Sequence, residues 1–140
     1  GLLHRNLGDA FARQGRAEDA RGEWKQCETL SAAALRVNPK ELSQLANAAI
    51  CRAKLGERVA ALDTVASALE LAPADRIPLF AAAVVHALGG DEAQGLQYLE
   101  KALAAGESPA RAARNEDLAT LRAQPGYRAL MARYAPREGG

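Results

Sequence analysis

The sequence is poor in aromatic residues and cysteines and has no long apolar run. Aromatic residues make up 4% of the 140 residues although hydrophobic residues make up 49%, so the apolar content is mostly alanine and leucine, which favour helices and pack closely. No run approaches the roughly 20 apolar residues of a membrane span, and a charged-then-apolar leader pattern is absent. We expect a soluble helical domain; the compartment is open, with the cytoplasm favoured over the periplasm.

Neither positive nor negative charge is in large excess. Eighteen lysines and arginines face seventeen acidic residues, which gives a net charge of +1 without a basic block or an acidic tail. Nucleic acid binds mainly to concentrated positive charge. The balance therefore argues against a nucleic-acid partner.

Cys27 and Cys51 are the only cysteines. They do not form a Cys-x-x-Cys pair, and no histidine is placed to complete a metal site with them. Both lie on inward stripes of neighbouring predicted helices, so we expect them at the interface of the first two helix pairs. Cysteine packs there as a small hydrophobe, which favours buried free thiols; in an oxidising compartment the alternative is a disulfide.

Glycines divide the chain into helix pairs. Gly15, Gly56 and Gly90 each end an apolar helical stretch that another soon follows, and their spacings of 41 and 34 residues suggest a stacked repeat. No segment has the pattern of a strand. The pattern predicts helices over 3–14, 17–36, 40–54, 58–71, 76–88, 92–104, 109–122 with a break near 115, and 126–134.

Helix starts are predicted from capping residues. Asn38 precedes a proline and has Glu41 in the expected first turn, which predicts an N-cap at Asn38. Asp75, Asp91 and Ser108 are expected to cap later helices in the same way.

The first helix pair carries a recognisable pattern. Its large and small residues recur at helical spacing: His4, Leu7, Gly8, Phe11, Ala20 and Trp24. This pattern resembles the tetratricopeptide signature. Small residues let two antiparallel helices approach, and we expect the large ones to fill the facing stripes. The register recurs with Leu45, Ala48, Ala49, Ala61 and Ala68, and again with Leu79, Ala82, Ala83, Gly95 and Ala102.

The resemblance implies an all-α fold, a right-handed α–α superhelix of three helix-turn-helix repeats. The repeats are expected at about 1–38, 39–74 and 75–108, in one domain over 1–140. Arg52 and His86 depart from the family pattern by replacing its aromatic residue. A fourth copy fails because Glu116 and Asp117 fall where apolar or small residues belong, so 109–135 is interpreted as a helical cap.

A weaker resemblance concerns the parent protein. The C-terminal pattern of Asp117, Leu118, Leu121, Tyr127 and Leu130 is similar to the ends of tetratricopeptide regions in bacterial signalling proteins. In those proteins the region follows a kinase, a cyclase or a DNA-binding regulator. The resemblance implies a fragment of such a protein, and the direct entry into a first helix after Gly1 agrees with that expectation.

Enzyme signatures are missing from the sequence. It has no glycine-rich phosphate loop, no Gly-x-Ser-x-Gly elbow and no His-Glu-x-x-His. Paired carboxylates such as Glu18 and Asp19 stand at helix starts, where they complement the helix dipole. We therefore expect no catalytic, cofactor or metal site and no small-molecule substrate.

A concave groove is the functional site that the resemblance implies. Tetratricopeptide grooves are lined by the first helix of each pair and receive a protein segment. Phe80 would be the apolar anchor, with Ile50 and Val84 beside it; Asp9 disfavours a carboxylate clamp. Self-association that controls an attached module is the alternative function. The cap could also cover the apolar strip that Ile50, Phe80 and Val84 are expected to form. The expected lining is Arg5, Asp9, Arg13, Ala46, Asn47, Ile50, Lys54, Phe80 and Val84.

Overall fold

In a computed structural model of the protein, residues 1–135 are described, and all regular structure within them is helical. The boundaries agree with the sequence pattern to within a few residues, including the break at Asn115. The helices are α1 (Leu2–Arg13), α2 (Ala17–Val37), α3 (Leu42–Lys54), α4 (Arg58–Leu71), α5 (Arg76–Leu88), α6 (Glu92–Ala104), α7 (Pro109–Arg114), a 3-10 helix (Glu116–Ala123) and α8 (Tyr127–Tyr134).

Glycine ends the first helix of each pair, as predicted. Gly15, Gly56 and Gly90 have φ of 75°, 82° and 82°, a left-handed conformation that costs other residues energy. Each turn is short, so the second helix folds back on the first. α1 packs on α2, α3 on α4, and α5 on α6.

The predicted caps are correct at three helix starts and wrong at one. Asp75, Asp91 and Ser108 accept hydrogen bonds from backbone N–H groups of α5, α6 and α7. Asn38 is instead the residue after α2, and its side chain accepts from the N–H of Lys40. α3 begins at Leu42 because Asn38 forms a local turn in place of an N-cap.

Alanine brings the helices of the core together. α5 lies at the centre, in contact with α3, α4, α6 and the 3-10 helix, and presents Ala81, Ala82 and Ala83 at 0–1% exposure. Leu118 and Leu121 of the 3-10 helix are also fully buried, in the same hydrophobic cluster. The predicted cap thus belongs to the core. Every member of that cluster lies at Ala46 or beyond.

The first helix pair packs around a glycine. A Cβ atom on Gly8 would lie 2.5 Å from the Trp24 ring and 3.1 Å from the Ala20 carbonyl oxygen, so glycine is required at this approach. Leu7 was expected to fill the facing stripe, and that expectation is wrong: Leu7 is 39% exposed. Gly8 faces α2. Leu7, one residue earlier in the helix, is turned about 100° away from that direction.

The cysteines lie at the predicted interface but are not free thiols. Cys27 of α2 and Cys51 of α3 form a disulfide with a Cα–Cα distance of 6.4 Å, and both are fully buried. The thiol expectation is wrong because the two inward stripes face each other at a separation that a disulfide spans.

Within the described residues, no helix combines the length and the apolar character that crossing a membrane requires.

Replacing Ala20 by leucine is predicted to lower the free energy of unfolding by about 1–3 kcal/mol, because the added atoms overpack the α1–α2 approach. Ala20 is 1% exposed. The matched control is Ala33→Leu at an exposed site of the same helix, expected to change stability by about 0.5 kcal/mol or less. Thermal and denaturant unfolding measure both; equal effects would contradict the packing assigned to Ala20.

Candidate functional site

A cavity of about 750 Å³ is lined by α1, α3 and α5 and by the segment from Glu107 to Asp117. The three helices that line it are the first members of their pairs. Trp24 contributes from α2. We call this cavity the groove.

Eight of the nine residues expected at the groove lie along it. Val84 does not: it is fully buried in the core cluster, because α5 is covered on most of its faces. Ile50 is only 6% exposed, and Phe80 is half-buried and packs against the core, so the apolar strip is narrower than predicted. The eight residues are Arg5, Asp9, Arg13, Ala46, Asn47, Ile50, Lys54 and Phe80.

Lys54 joins three parts of the chain at one end of the groove. Its Nζ lies 2.8 Å from Asp9 Oδ1 of α1 and 2.6 Å from Asp117 Oδ1 of the 3-10 helix, and 5.3 Å from the centre of the Trp24 ring. The Lys54 side chain is 5% exposed. An ammonium group so deeply buried requires compensating charge, and the two carboxylates supply it.

Asp9 has a second role. Its Oδ1 also accepts a hydrogen bond from Trp24 Nε1 at 3.0 Å, so the carboxylate orients the indole and pairs with the ammonium at once. Trp24 was expected in the core, yet it is half-buried and lines the groove. The Trp24 indole therefore packs against Gly8 of α1 and also contacts the charged groups Asp9 and Lys54 of the groove.

Arg5 is a half-buried cation of the groove without a carboxylate partner among the described residues. It is half-buried, its Nη1 donates to Asn47 Oδ1 at 2.7 Å, and no carboxylate of the described residues lies within ion-pair distance of it. Burial lowers the pKa of Arg5, and the more distant charges of Asp9 and Asp117 oppose that effect. Arginine keeps its charge in proteins, so the groove holds a poorly solvated positive group.

Glu107, which lies just before α7, is a buried carboxylate that lines the groove. The Glu107 side chain is 4% exposed and lies 3.5 Å from Arg76 and 3.9 Å from Arg111. It also accepts from the N–H of Ser108 at 3.1 Å. Glu107 thus orients one arginine from α5 and one from α7 along the groove.

The groove carries more positive than negative charge. Six cationic side chains and four anionic ones line it. Arg13 pairs with Glu116 at 3.7 Å across exposed surface, where such a pair contributes little. After the pairs are counted, Arg5 and Arg114 remain without a carboxylate among residues 1–135.

The sequence did not identify the wall formed by α7 and the 3-10 helix. The segment that holds Glu116 and Asp117 was interpreted as a cap, yet both side chains line the groove, where they meet α1 and α3. The available signal was that two adjacent carboxylates replaced apolar residues of the repeat. Lys54 and Asp117 are 63 residues apart in the sequence. A pair so far apart leaves no pattern in the local sequence.

The charged lining of the groove consists mainly of guanidinium and carboxylate groups. In the described part of the chain, no group of three or more histidine, cysteine or acidic side chains is arranged to hold a metal ion. The two histidines have packing partners outside the groove: His4 pairs with Glu23, and His86 stacks on Tyr98 with ring centres 5.4 Å apart. Burial lowers the pKa of His86. Guanidinium groups, an amide and a narrow apolar strip are the groups that a bound molecule would meet.

Comparison with known proteins does not identify a family. No protein-family model matches the chain, and no curated protein matches it significantly.

Replacing Lys54 by methionine is predicted to destabilise the protein by about 2 kcal/mol or more, because Asp9 and Asp117 lose their shared cation while remaining partly buried. Lys40→Met, at an exposed lysine, is the control and should have little effect. Denaturant unfolding measures both changes. Adding Asp9→Asn and Asp117→Asn to Lys54→Met should restore part of the loss; a Lys54→Met variant as stable as the control would contradict the bridge.

Proposed function

We propose that this chain is a non-catalytic interaction module that holds a segment of another protein in the groove. The proposed architecture is a tetratricopeptide-like right-handed superhelix of three helix pairs with a helical cap. Support comes from the recurring glycine turns, the small residues at helix approaches, and the lining of the groove by first helices. We extend the proposal to a parent protein in bacterial signalling because of the sequence resemblance.

Arg5 carries the proposal. A half-buried guanidinium that pairs only with an amide gains strongly from an arriving carboxylate, because charge-assisted hydrogen bonds are about twice as strong as neutral ones. The positive excess of the groove acts in the same direction. The partner is therefore a protein segment with an acidic side chain, which would sit near Arg5 and Asn47 with an apolar neighbour against Phe80.

The compartment is part of the proposal. Disulfides persist in oxidising compartments and are rare where glutathione keeps thiols reduced. The Cys27–Cys51 disulfide therefore favours an oxidising compartment and argues against the cytoplasmic expectation.

Peptide selection tests the groove without knowledge of the natural partner. Random peptides displayed on phage are selected on the wild-type protein and synthesised for affinity measurement. We expect enrichment of acidic residues next to an apolar one. Arg5→Gln should weaken the selected peptides by about tenfold, or roughly 1.4 kcal/mol, because it removes the cation that meets the acid.

Arg36→Gln is the matched control for this experiment. Arg36 is exposed on α2 and does not line the groove, so its replacement should leave affinity unchanged. Selected peptides that bind both variants as well as the wild type would contradict the assignment of the groove.

Self-association is the second candidate, favoured by one observation on α1. In the repeat register Leu7 corresponds to Ala48 of α3 and Ala82 of α5, both fully buried, whereas Leu7 is 39% exposed. α3 buries its face against α2, and α5 against α3 and α4. Leu7 and the exposed Leu3 thus form an apolar stripe where inner repeats have a neighbour, and a second copy would cover it.

The second candidate predicts a dimer that depends on this stripe. Light scattering over a range of concentrations should show dimerisation of the wild type, and Leu3→Gln with Leu7→Gln should abolish it, since the polar side chains would be buried without partners. Val59→Gln, at an exposed apolar residue of α4, is the control. A wild type that stays monomeric at all concentrations excludes this candidate.

A further inference from the structure

We propose that the Cys27–Cys51 disulfide is a redox site that determines whether the groove is formed: reduction releases the α1–α2 pair while the rest of the fold remains. The disulfide joins α2 to α3, which are the helices where the first pair meets the second. The structural part of the proposal stands alone, and its consequence for a ligand rests on the proposed function.

The first helix pair contributes few large apolar side chains to its contact with the rest of the protein. The core cluster begins at Ala46. In α1 the only buried residue is Gly8, and in α2 the buried residues are Ala20, Cys27 and Ser31. Small side chains remove little apolar surface from water. Hydrophobic burial therefore holds α1 and α2 much less firmly than it holds α3 to α8.

Polar contacts supply most of the remaining attachment. Arg5 bonds to Asn47, Asp9 pairs with Lys54, and Glu28 lies 3.5 Å from Arg52. The Lys54 side chain is 5% exposed, whereas Asp9 and Arg52 are 26% and 25% exposed, so water reaches these pairs from one side and salt weakens them in part. The disulfide is the one covalent constraint in the described chain, and it joins α2 directly to α3.

The same helix pair forms one wall of the groove. Arg5, Asp9 and Arg13 come from α1, and Trp24 comes from α2. A first pair that separates from α3 takes all of these side chains with it. The redox state of the two cysteines thus decides whether the wall exists.

Reduction requires a dithiol and a prior opening of the interface. One thiolate of the dithiol attacks the Sγ of one cysteine; the other Sγ leaves as a thiolate and takes a proton. The second thiol of the reductant, as its thiolate, then displaces the first cysteine from the mixed disulfide. Two electrons and two protons reach the protein, and the reductant becomes a disulfide. Because both cysteines are fully buried, the attack waits for α2 to move away from α3.

Hydrogen exchange read by mass spectrometry tests the release of the first pair. Dithiothreitol is the probe, and peptides from α1 and α2 are compared between oxidised and reduced protein. Reduction should speed their exchange about tenfold or more, while α5 and α6 peptides stay unchanged, because local opening exposes only the amides that it frees.

A Cys27→Ala, Cys51→Ala variant is the control. It should exchange like the reduced protein and should not respond to dithiothreitol. Unchanged exchange in α1 and α2 on reduction would overturn the proposal. So would equal acceleration in α5 and α6, in either the reduced protein or the variant, because the disulfide would then stabilise the whole fold.

The rate of reduction gives a second readout. Salt should speed reduction of the wild type by dithiothreitol, and a selected acidic peptide should slow it, because the peptide binds only the closed interface and the coupling is reciprocal. A rate unaffected by salt would contradict gating by the polar contacts. Local release without any effect of the peptide would leave the redox site standing and overturn the groove as the peptide site.

Discussion

The Lys54 ammonium group bridges two parts of the chain that are far apart in the sequence. It lies between Asp9, close to the N-terminus, and Asp117, in the 3-10 helix, at 2.8 and 2.6 Å. A buried charge tolerates no loss of its partners, so α1, α3 and the 3-10 helix are held in one arrangement. The bridge connects the two walls of the cavity, one formed by α1 and one that includes the 3-10 helix.

The alanine-rich composition explains why the chain needs such a bridge. Alanine lets α5 approach several helices at once, and Ala81, Ala82 and Ala83 are almost fully buried there. Each alanine, however, removes little apolar surface from water. The first helix pair has few large buried side chains. A disulfide and ion pairs attach it to α3.

Local structure was predictable because its causes are local. Gly56 and Asp91 act within one turn of their own positions, and the predicted helix boundaries follow from such residues. The predictions failed where a distant partner decides. Cys27 is bonded to Cys51 because two helices face each other, and Val84 is buried because α5 is surrounded. Asn38 is an exception, because its hydrogen bond with the N–H of Lys40 is local and replaces the predicted N-cap.

Eight of the nine residues expected at the groove line one cavity, and helical periodicity accounts for part of this result. The side of a first helix that faces the groove follows from helical periodicity, so Arg5, Asn47 and Phe80 could be selected from the repeat register. The opposite wall could not, because α7 and the 3-10 helix depart from the repeat. The 3-10 helix packs on α5 and α6, and those contacts lie outside the proposed repeat pattern.

The wall formed by the first helix pair is held at two points. Lys54 attaches α1 through Asp9, and the disulfide attaches α2 through Cys27. The two constraints are coupled, since an opening at the disulfide lets water reach Lys54, and a higher local dielectric weakens its ion pairs. Arg5 would lose the burial that makes it receptive to an acidic group. Under the two proposals made above, binding in the groove would depend on a covalent bond that lies outside it.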